Sequence, residues 1–150
     1  MSGFLLDTNV ISVLSPSRAA ASPDLMAWLD HTDSEGRLFL SVVTIHEIEK
    51  GIALLQHKGA SAKAAALKLW LAGLVSIYDD KIIPVDTVVA ALAGQMEARA
   101  IATGFAPGMA DATLAGIASV HDLVIVTSNT KHFRPFGVSV ITPDEVVRGA

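Results

Sequence analysis

The chain has no cysteine. That excludes a disulfide framework and any thiolate metal site, and it fits a reducing compartment. Charge is scarce too. Only 17% of the 150 residues are Asp, Glu, Lys or Arg, and eleven basic residues face fifteen acidic ones, a net charge of −4. The basic footprint of a nucleic-acid binder is therefore missing. Nucleic acid stays admissible as a substrate if bound cations offset the acids, or if a basic partner supplies phosphate contacts. The longest uncharged apolar stretch, 69–78, falls well short of the roughly 20 residues that span a bilayer. No basic region precedes the first apolar residues, so no secretory signal is read. The expectation is a soluble, cytoplasmic protein without membrane contact. No GxGxxG follows the first apolar segment, which removes a dinucleotide-binding reading. The five histidines show no HExxH spacing. There is no internal repeat, low-complexity tract or linker, so 1–150 is expected to be a single domain.

What is present is an apolar, Ala-rich chain, 51% hydrophobic, long enough for a compact domain with a real core. Phe4–Leu6 predicts a short buried strand, and 9–14 a short helix ending before Pro16. Ser22-Pro23 supplies an N-cap and a Pro at N1 for a helix through Trp28 and Leu29. A strand is predicted over 38–43, then helices over 45–57 and 61–78. The second carries Leu67, Trp70, Leu71, Leu74 and Ile77 at helical spacing. Residues 81–85 read as a short strand, and 87–103 as a helix ended by Gly104. Pro107-Gly108 is a turn before a helix over 110–121. Residues 123–127 are the clearest buried strand, and 138–141 the last. Thr142-Pro143-Asp144-Glu145 is a capping-box pattern opening a terminal helix. Alternating strands and helices imply a parallel sheet covered on both faces. Ligands of such sheets sit beyond the carboxyl ends of the strands, near the switch point of strand order. Asp7 and Thr127-Ser128-Asn129 fall at such ends.

Three acidic residues stand out by position. Asp7 closes Phe4-Leu5-Leu6 and opens DTNVIS, Glu47 lies in SVVTIHEIEKG, and Asp111 lies in PGMADATLAGIAS. Each has a structural explanation by itself. Asp7 suits a turn or N-cap. Glu47, three residues after Thr44, completes a capping-box pattern. Asp111 suits the first turn of a helix, where the macrodipole favours negative charge. Together they point to a shared site. Burying a carboxylate behind an apolar strand is costly unless it is paired or metal-bound. Mg2+ takes oxygen ligands, keeps several waters and is held by one or two carboxylates. Mn2+ shares that preference. His46 lies about 100° around the helix from Glu47 and is expected away from the site. His132, three residues after Asn129, is within reach of a substrate by spacing but is not read as a catalytic residue. His31, His57 and His121 sit near predicted helix C-termini, where the dipole tolerates them.

Three ordered blocks make the chain resemble the PIN-domain nucleases, in particular the VapC- and FitB-like toxins of toxin–antitoxin modules. They are LLDTNVIS at 5–12, LSVVTIHEIEKGIALL at 40–55 and DATLAGIASVHDLVIVTSNTKHF at 111–133. The resemblance implies a three-layer α/β/α PIN-like fold with a central, mainly parallel sheet of about four to five strands. It implies a ribonuclease dependent on Mg2+, or on Mn2+, that hydrolyses RNA phosphodiester bonds. Asp7, Glu47 and Asp111 match the acidic metal positions. Asn129 matches a fourth, which is Asp in some members and Asn in many, and is expected to orient water or phosphate. With Asn there, one well-held ion is expected and any second one weak. Thr8 and Asn9 match the polar pair that supports the carboxylates, and Thr127 the Thr or Ser at a strand end. Ser128 stands where Arg is common, which removes a phosphate contact. The resemblance also implies a VapB-like antitoxin that blocks the acidic site, often with Arg, and the apolar surplus of the composition fits a homodimer plus a groove for that antitoxin. Promoter DNA would be reached only through that antitoxin. Helices at 24–30 and 45–55 are the expected walls of its groove, while Trp28 and Trp70 suit ordinary core packing.

Other readings compete. One is a catalytically weak PIN-fold module that binds nucleic acid, which Asn129 keeps open. Another is a different Mg-dependent phosphohydrolase. A receiver-like domain needs an acidic pair near the first strand, and Asp79-Asp80 instead precede a predicted strand. A haloacid-dehalogenase-type enzyme needs D-x-D, and here Asp7 is followed by Thr8-Asn9.

Overall fold

The computed structural model describes residues 3–16 and 21–149. The apolar triplets at Phe4–Leu6 (β1) and Val124–Val126 (β4) pair in parallel, Phe4 opposite Val124 and Leu6 opposite Val126. Leu38–Ser41 (β2) pairs on the other side of β1, and Ile82–Ile83 (β3) pairs beyond it. Val140–Ile141 (β5) lies outside β4. The five-stranded sheet runs β3-β2-β1-β4-β5 and every pairing is parallel. Chain progression moves one way from β1 to β3 and the other way from β4 to β5. The switch point therefore lies between β1 and β4, and a ligand crevice is expected at their carboxyl ends.

Successive strand residues face opposite sides, which splits the core into two layers. Leu5 and Ile125 pack with Val89 of Thr87–Ala102 (α5) and with Leu114 and Ile117 of Met109–His121 (α6). Leu6 and Val126 face the other layer. There they meet Leu25 and Leu29 of Pro23–Ser34 (α2), Ile48 and Ile52 of Val42–His57 (α3), and Leu71 and Leu74 of Ser61–Ile77 (α4). This is the expected three-layer α/β/α arrangement. Gly116 lets α5 and α6 close tightly: a Cβ there would lie 3.1 Å from the Ala93 Cβ and 3.1 Å from the Val89 carbonyl oxygen. Pro143–Gly149 (α7) opens with the expected capping box. The Glu145 N–H donates to Thr142 Oγ1 and the Thr142 N–H donates to Glu145 Oε1, each at 3.1 Å.

One boundary shift matters for the site. The strand predicted over 38–43 ends at Ser41, and the next helix starts at Val42 rather than Ile45. Buried Ser41 is the cap, its Oγ accepting from the Thr44 N–H at 3.3 Å. Thr44 is inside the helix and Glu47 lies a turn further on, so the Thr44–Glu47 capping box is not formed. The strands at 82–83 and 140–141 are shorter than predicted, since each is an edge strand paired on one side only. Among the described residues no helix is long and apolar enough to cross a membrane.

Candidate active site

The ladder between β1 and β4 delivers Asp7 to the switch point. Its N–H donates to the Val126 carbonyl at 3.0 Å, extending the pairing by one residue. Its carboxylate then caps the short helix Thr8–Ile11 (α1), Oδ1 accepting from the Thr8 N–H at 2.8 Å. Oδ2 accepts from Thr127 Oγ1 at 2.9 Å and from Asn9 Nδ2 at 3.1 Å. Asp7 is 9% exposed. Burial pushes its carboxyl above the ordinary 3.8, the Thr127 and Thr8 hydrogen bonds pull it back, Glu47 raises it further and His132 lowers it.

The supporting residues saturate one another. Thr127, fully buried, donates its one proton to Asp7 and accepts from the Asn129 N–H at 3.0 Å and Asn9 Nδ2 at 3.3 Å. Asn9 Oδ1 accepts from the Ser128 N–H at 3.1 Å, which fixes the orientation of its amide. Asn9, Thr127 and Ser128 therefore hold the ends of β1 and β4 together beneath Asp7. Asn129 is exposed at the rim and reaches this network through its backbone N–H.

Glu47 comes from the second turn of α3. Its Oε1 accepts from Thr8 Oγ1 at 2.5 Å, and Thr44 Oγ1 lies 3.1 Å from the same Thr8 hydroxyl. Asp111 sits in the first turn of α6, as expected. Burial raises its carboxyl above 3.8, Asp7 raises it further, His132 lowers it and Glu47 raises it again. His132 Nδ1 stands 3.8 Å from Asp111 Oδ2. The structure thus brings Asp7, Glu47 and Asp111 into one electrostatic field, with Thr8, Asn9, Thr127, Ser128 and Asn129 around it. His46 is exposed on another face of α3, and His31, His57 and His121 lie in the last turns of their helices, as expected.

Among the described residues, no three His, Asp or Glu side chains are grouped so that they could hold a metal ion between them. The donor set nonetheless suits a hard cation. It offers only carboxylate oxygens, two of the groups are held above their ordinary pKa by burial and neighbouring acids, and Mg2+ leaves several positions to water.

Sequence reasoning missed Thr44, which it treated as a cap; its spacing of three from Glu47 marked a shared helix face instead. It also understated His132, whose place beside Asp111 depends on how the 3-10 turn Thr130–His132 leaves the sheet. Two grooves flank the acids. One, between α3 and α4, runs from Thr8 and Glu47 to Ile52, Leu67 and Trp70. The expected wall over 24–30 is absent from it, because α2 buries Leu25 and Leu29 and sets Trp28 edge-on to Phe4, ring centroids 5.0 Å apart. The other groove lies on the Asp111 side, between Phe105–Gly108 and Lys131-His132.

Comparison with known proteins gives the same outline. The signature of the PIN domain matches residues 4–138. Toxin FitB of Neisseria gonorrhoeae is 32% identical over 139 residues, 93% of this chain and 96% of that protein. The VapC ribonuclease Y4jK of Sinorhizobium fredii is 30% identical over 145 residues, 94% and 97% of the two chains. The crystal structure of FitAcB from Neisseria gonorrhoeae superposes with a TM-score of 0.78 at 33% identity, covering 93% of this chain and 97% of that one.

Proposed function

The chain belongs to the PIN domain family, and on that premise we propose that it is the toxin of a toxin–antitoxin pair, a metal-dependent endoribonuclease that hydrolyses RNA phosphodiester bonds. The observation that carries this reading is the electrostatic coupling of Asp7, Glu47 and Asp111 beside the switch point, with burial pushing both aspartates towards protonation. Groups in that state gain from a cation that removes the mutual repulsion. The relatives named as a toxin and as a ribonuclease support it.

Mg2+ is the cation proposed, with Mn2+ as the other oxygen-preferring choice. Bound there, such an ion neutralises charge on a phosphate oxygen and lowers the pKa of a coordinated water. Asp7 and Asp111 are assigned to hold it. Glu47, aimed by the Thr8 hydroxyl, is assigned to accept the proton of the attacking water. Asn129, exposed at the rim, is assigned to orient water or phosphate. Thr8, Asn9, Thr127 and Ser128 act through these groups and keep them in register.

The antitoxin is proposed to be VapB-like and to occupy the groove between α3 and α4. Thr8 and Glu47 line that groove, so an arginine carried along it meets the Glu47 carboxylate. A FitAB complex bound to a DNA fragment, 31% identical to this chain with a TM-score of 0.77, supports DNA as a contact of the pair, and promoter DNA reached through the antitoxin is the contact proposed. With a net charge of −4, this chain is assigned no direct DNA contact. A homodimer, supported by exposed Val88, Ile101 and Met109, and a cytoplasmic location complete the proposal.

The deciding experiment is RNA cleavage by the purified chain with Mg2+, together with growth on induction. Asp7→Ala is expected to abolish both while keeping the fold. Undiminished cleavage by folded, metal-replete Asp7→Ala would overturn the assignment.

A further inference from the structure

We infer that the groove on the Asp111 side is a subsite for single-stranded RNA, in which Phe105 stacks on a base and Lys131 holds the phosphate beside it. The inference rests on the ribonuclease reading above. Asp111 lines this groove together with Phe105, Lys131 and His132. Its volume is about 250 Å³, at the small end of the roughly 300–1,000 Å³ typical of ligand sites. That suits one base or sugar better than a protein segment.

The backbone fixes Phe105 in place. α5 ends in a Schellman turn: Gly104 has φ +93°, its N–H donates to the Ile101 carbonyl at 3.1 Å, and the Phe105 N–H donates to the Ala100 carbonyl at 3.0 Å. The apolar residue at that position usually folds back on the helix. Phe105 instead stays 50% exposed, while Phe133 and Phe136 are buried. Pro107 and the start of α6 follow at once, so the ring is offered from a constrained link between two packed helices.

The segment after β4 brings basic chemistry to the groove. Lys131 and His132 line it, and with Arg134 just beyond the lining they place three basic side chains within four residues of a chain that is acidic overall. Lys131 and Arg134 are exposed. A cationic rail beside an aromatic platform is what a single strand needs: cations follow the phosphates and a ring stacks on any base. A duplex hides its base faces, so stacking selects unpaired or looped RNA. Cations on the rim also favour a polyanion over an apolar protein partner.

The test is steady-state cleavage of a single-stranded RNA oligonucleotide in Mg2+. It compares the wild-type chain with Phe105→Ala, Phe105→Trp and Lys131→Gln, with KM, kcat and salt dependence read separately. Phe105→Ala is expected to raise KM about tenfold, the scale of one lost base stack, with little change in kcat. Phe105→Trp should keep the wild-type KM. Lys131→Gln should weaken binding and reduce the log–log salt slope by about 0.7, one single-strand phosphate contact. If the wild-type chain cleaves RNA and neither KM nor the salt slope moves, the subsite is wrong and the ribonuclease reading stands. If no Asp7-dependent cleavage of RNA occurs at all, both fall. If Phe105→Ala breaks self-association or antitoxin binding but leaves KM intact, the face is a protein interface and the inference is overturned. Should Phe105→Ala fail to fold, the Lys131→Gln salt slope decides alone.

Discussion

The Thr8 hydroxyl donates to Glu47 Oε1 at 2.5 Å, tying the first turn of α1 to the second turn of α3. A threonine has one proton to give. With that proton committed to Glu47, the Thr44 hydroxyl, 3.1 Å away, is the donor to Thr8. The chain of three groups aims Glu47 at the cluster from a segment far along the sequence. The short contact to a carboxylate is also the stronger kind of hydrogen bond.

Thr8→Val keeps the shape and removes the donor. Glu47 is then free to turn towards solvent, and RNA cleavage should fall about 10- to 100-fold, the scale of a displaced catalytic group. Thr8→Ser should recover most of it. The stability change should be on the order of 1.5–3 kcal/mol, as for a hydrogen bond to a charged group. Wild-type kcat/KM in folded Thr8→Val would show that Glu47 needs no such steering.

The raised carboxyls make stability depend on pH in a defined direction. For Asp7 and Asp111 burial is the largest cause, and both folded values lie above the ordinary 3.8. The native state therefore holds these protons more tightly than the unfolded chain. Their favourable contribution is complete below 3.8 and is lost as pH rises through the folded values. At pH 7 both charges oppose folding. Asp111→Asn should accordingly raise Tm at pH 7 while abolishing cleavage, and the rise should vanish in acid. Divalent cation should stabilise the wild-type protein by about 2.7 kcal/mol at a hundredfold excess over Kd, raising its Tm, and do less for Asp111→Asn. Thermal scans at pH 3.5 and pH 7, with and without Mg2+, read all three. A Tm at pH 7 lowered by Asp111→Asn would contradict the sign.

Much of this was legible from one dimension. Leu5 and Leu6, and Ile125 and Val126, are apolar on both strand faces, which only a doubly covered sheet requires. The cap at Ser22, the Thr142–Glu145 box and the stop at Gly104 are local chemistry, and they lie where local rules put them. Asp7 was legible for the same reason, since an acid directly after a buried strand has few explanations. Thr44 was not. Its role depends on Ser41 taking the cap, and valines at 42 and 43 favour strand by propensity until that cap overrides them. The groove walls also escaped. Whether Trp28 faces a groove or Phe4 depends on how α2 lies across the sheet, which no local pattern encodes. His132 needed the path of the chain after β4.

Gly116 predicts a packing limit. A side chain there meets Ala93 and the Val89 carbonyl at 3.1 Å, and backbone cannot yield as a flexible side chain does. Gly116→Val should cost about 1–3 kcal/mol or more, lowering Tm by several degrees at this chain length. The loss should be absent for Gly94→Ala, where an added Cβ meets nothing within 4 Å. Equal Tm values for the two variants would mean that α5 and α6 are not in close contact in solution.

Ser41 links fold to site most directly, because no loop separates β2 from α3. Its side chain is fully buried and caps the helix through the Thr44 N–H. Removing the hydroxyl leaves that N–H without its partner, so Ser41→Ala should destabilise the protein by about 1–2 kcal/mol. A second consequence follows from position. Thr44 and Glu47 lie on the turns that this cap begins, so a frayed first turn loosens the hydroxyl facing Thr8 and then the carboxylate. Cleavage should fall by more than the lost fraction of folded protein. Ser41→Asp restores a good capping group but buries a charge at the edge of an acidic cluster, so it should fold less well than Ser41→Ala. Matching denaturant unfolding against kcat/KM for the two variants separates the effects. A Ser41→Ala protein that loses stability but keeps full kcat/KM would show that Glu47 is held by Thr8 alone.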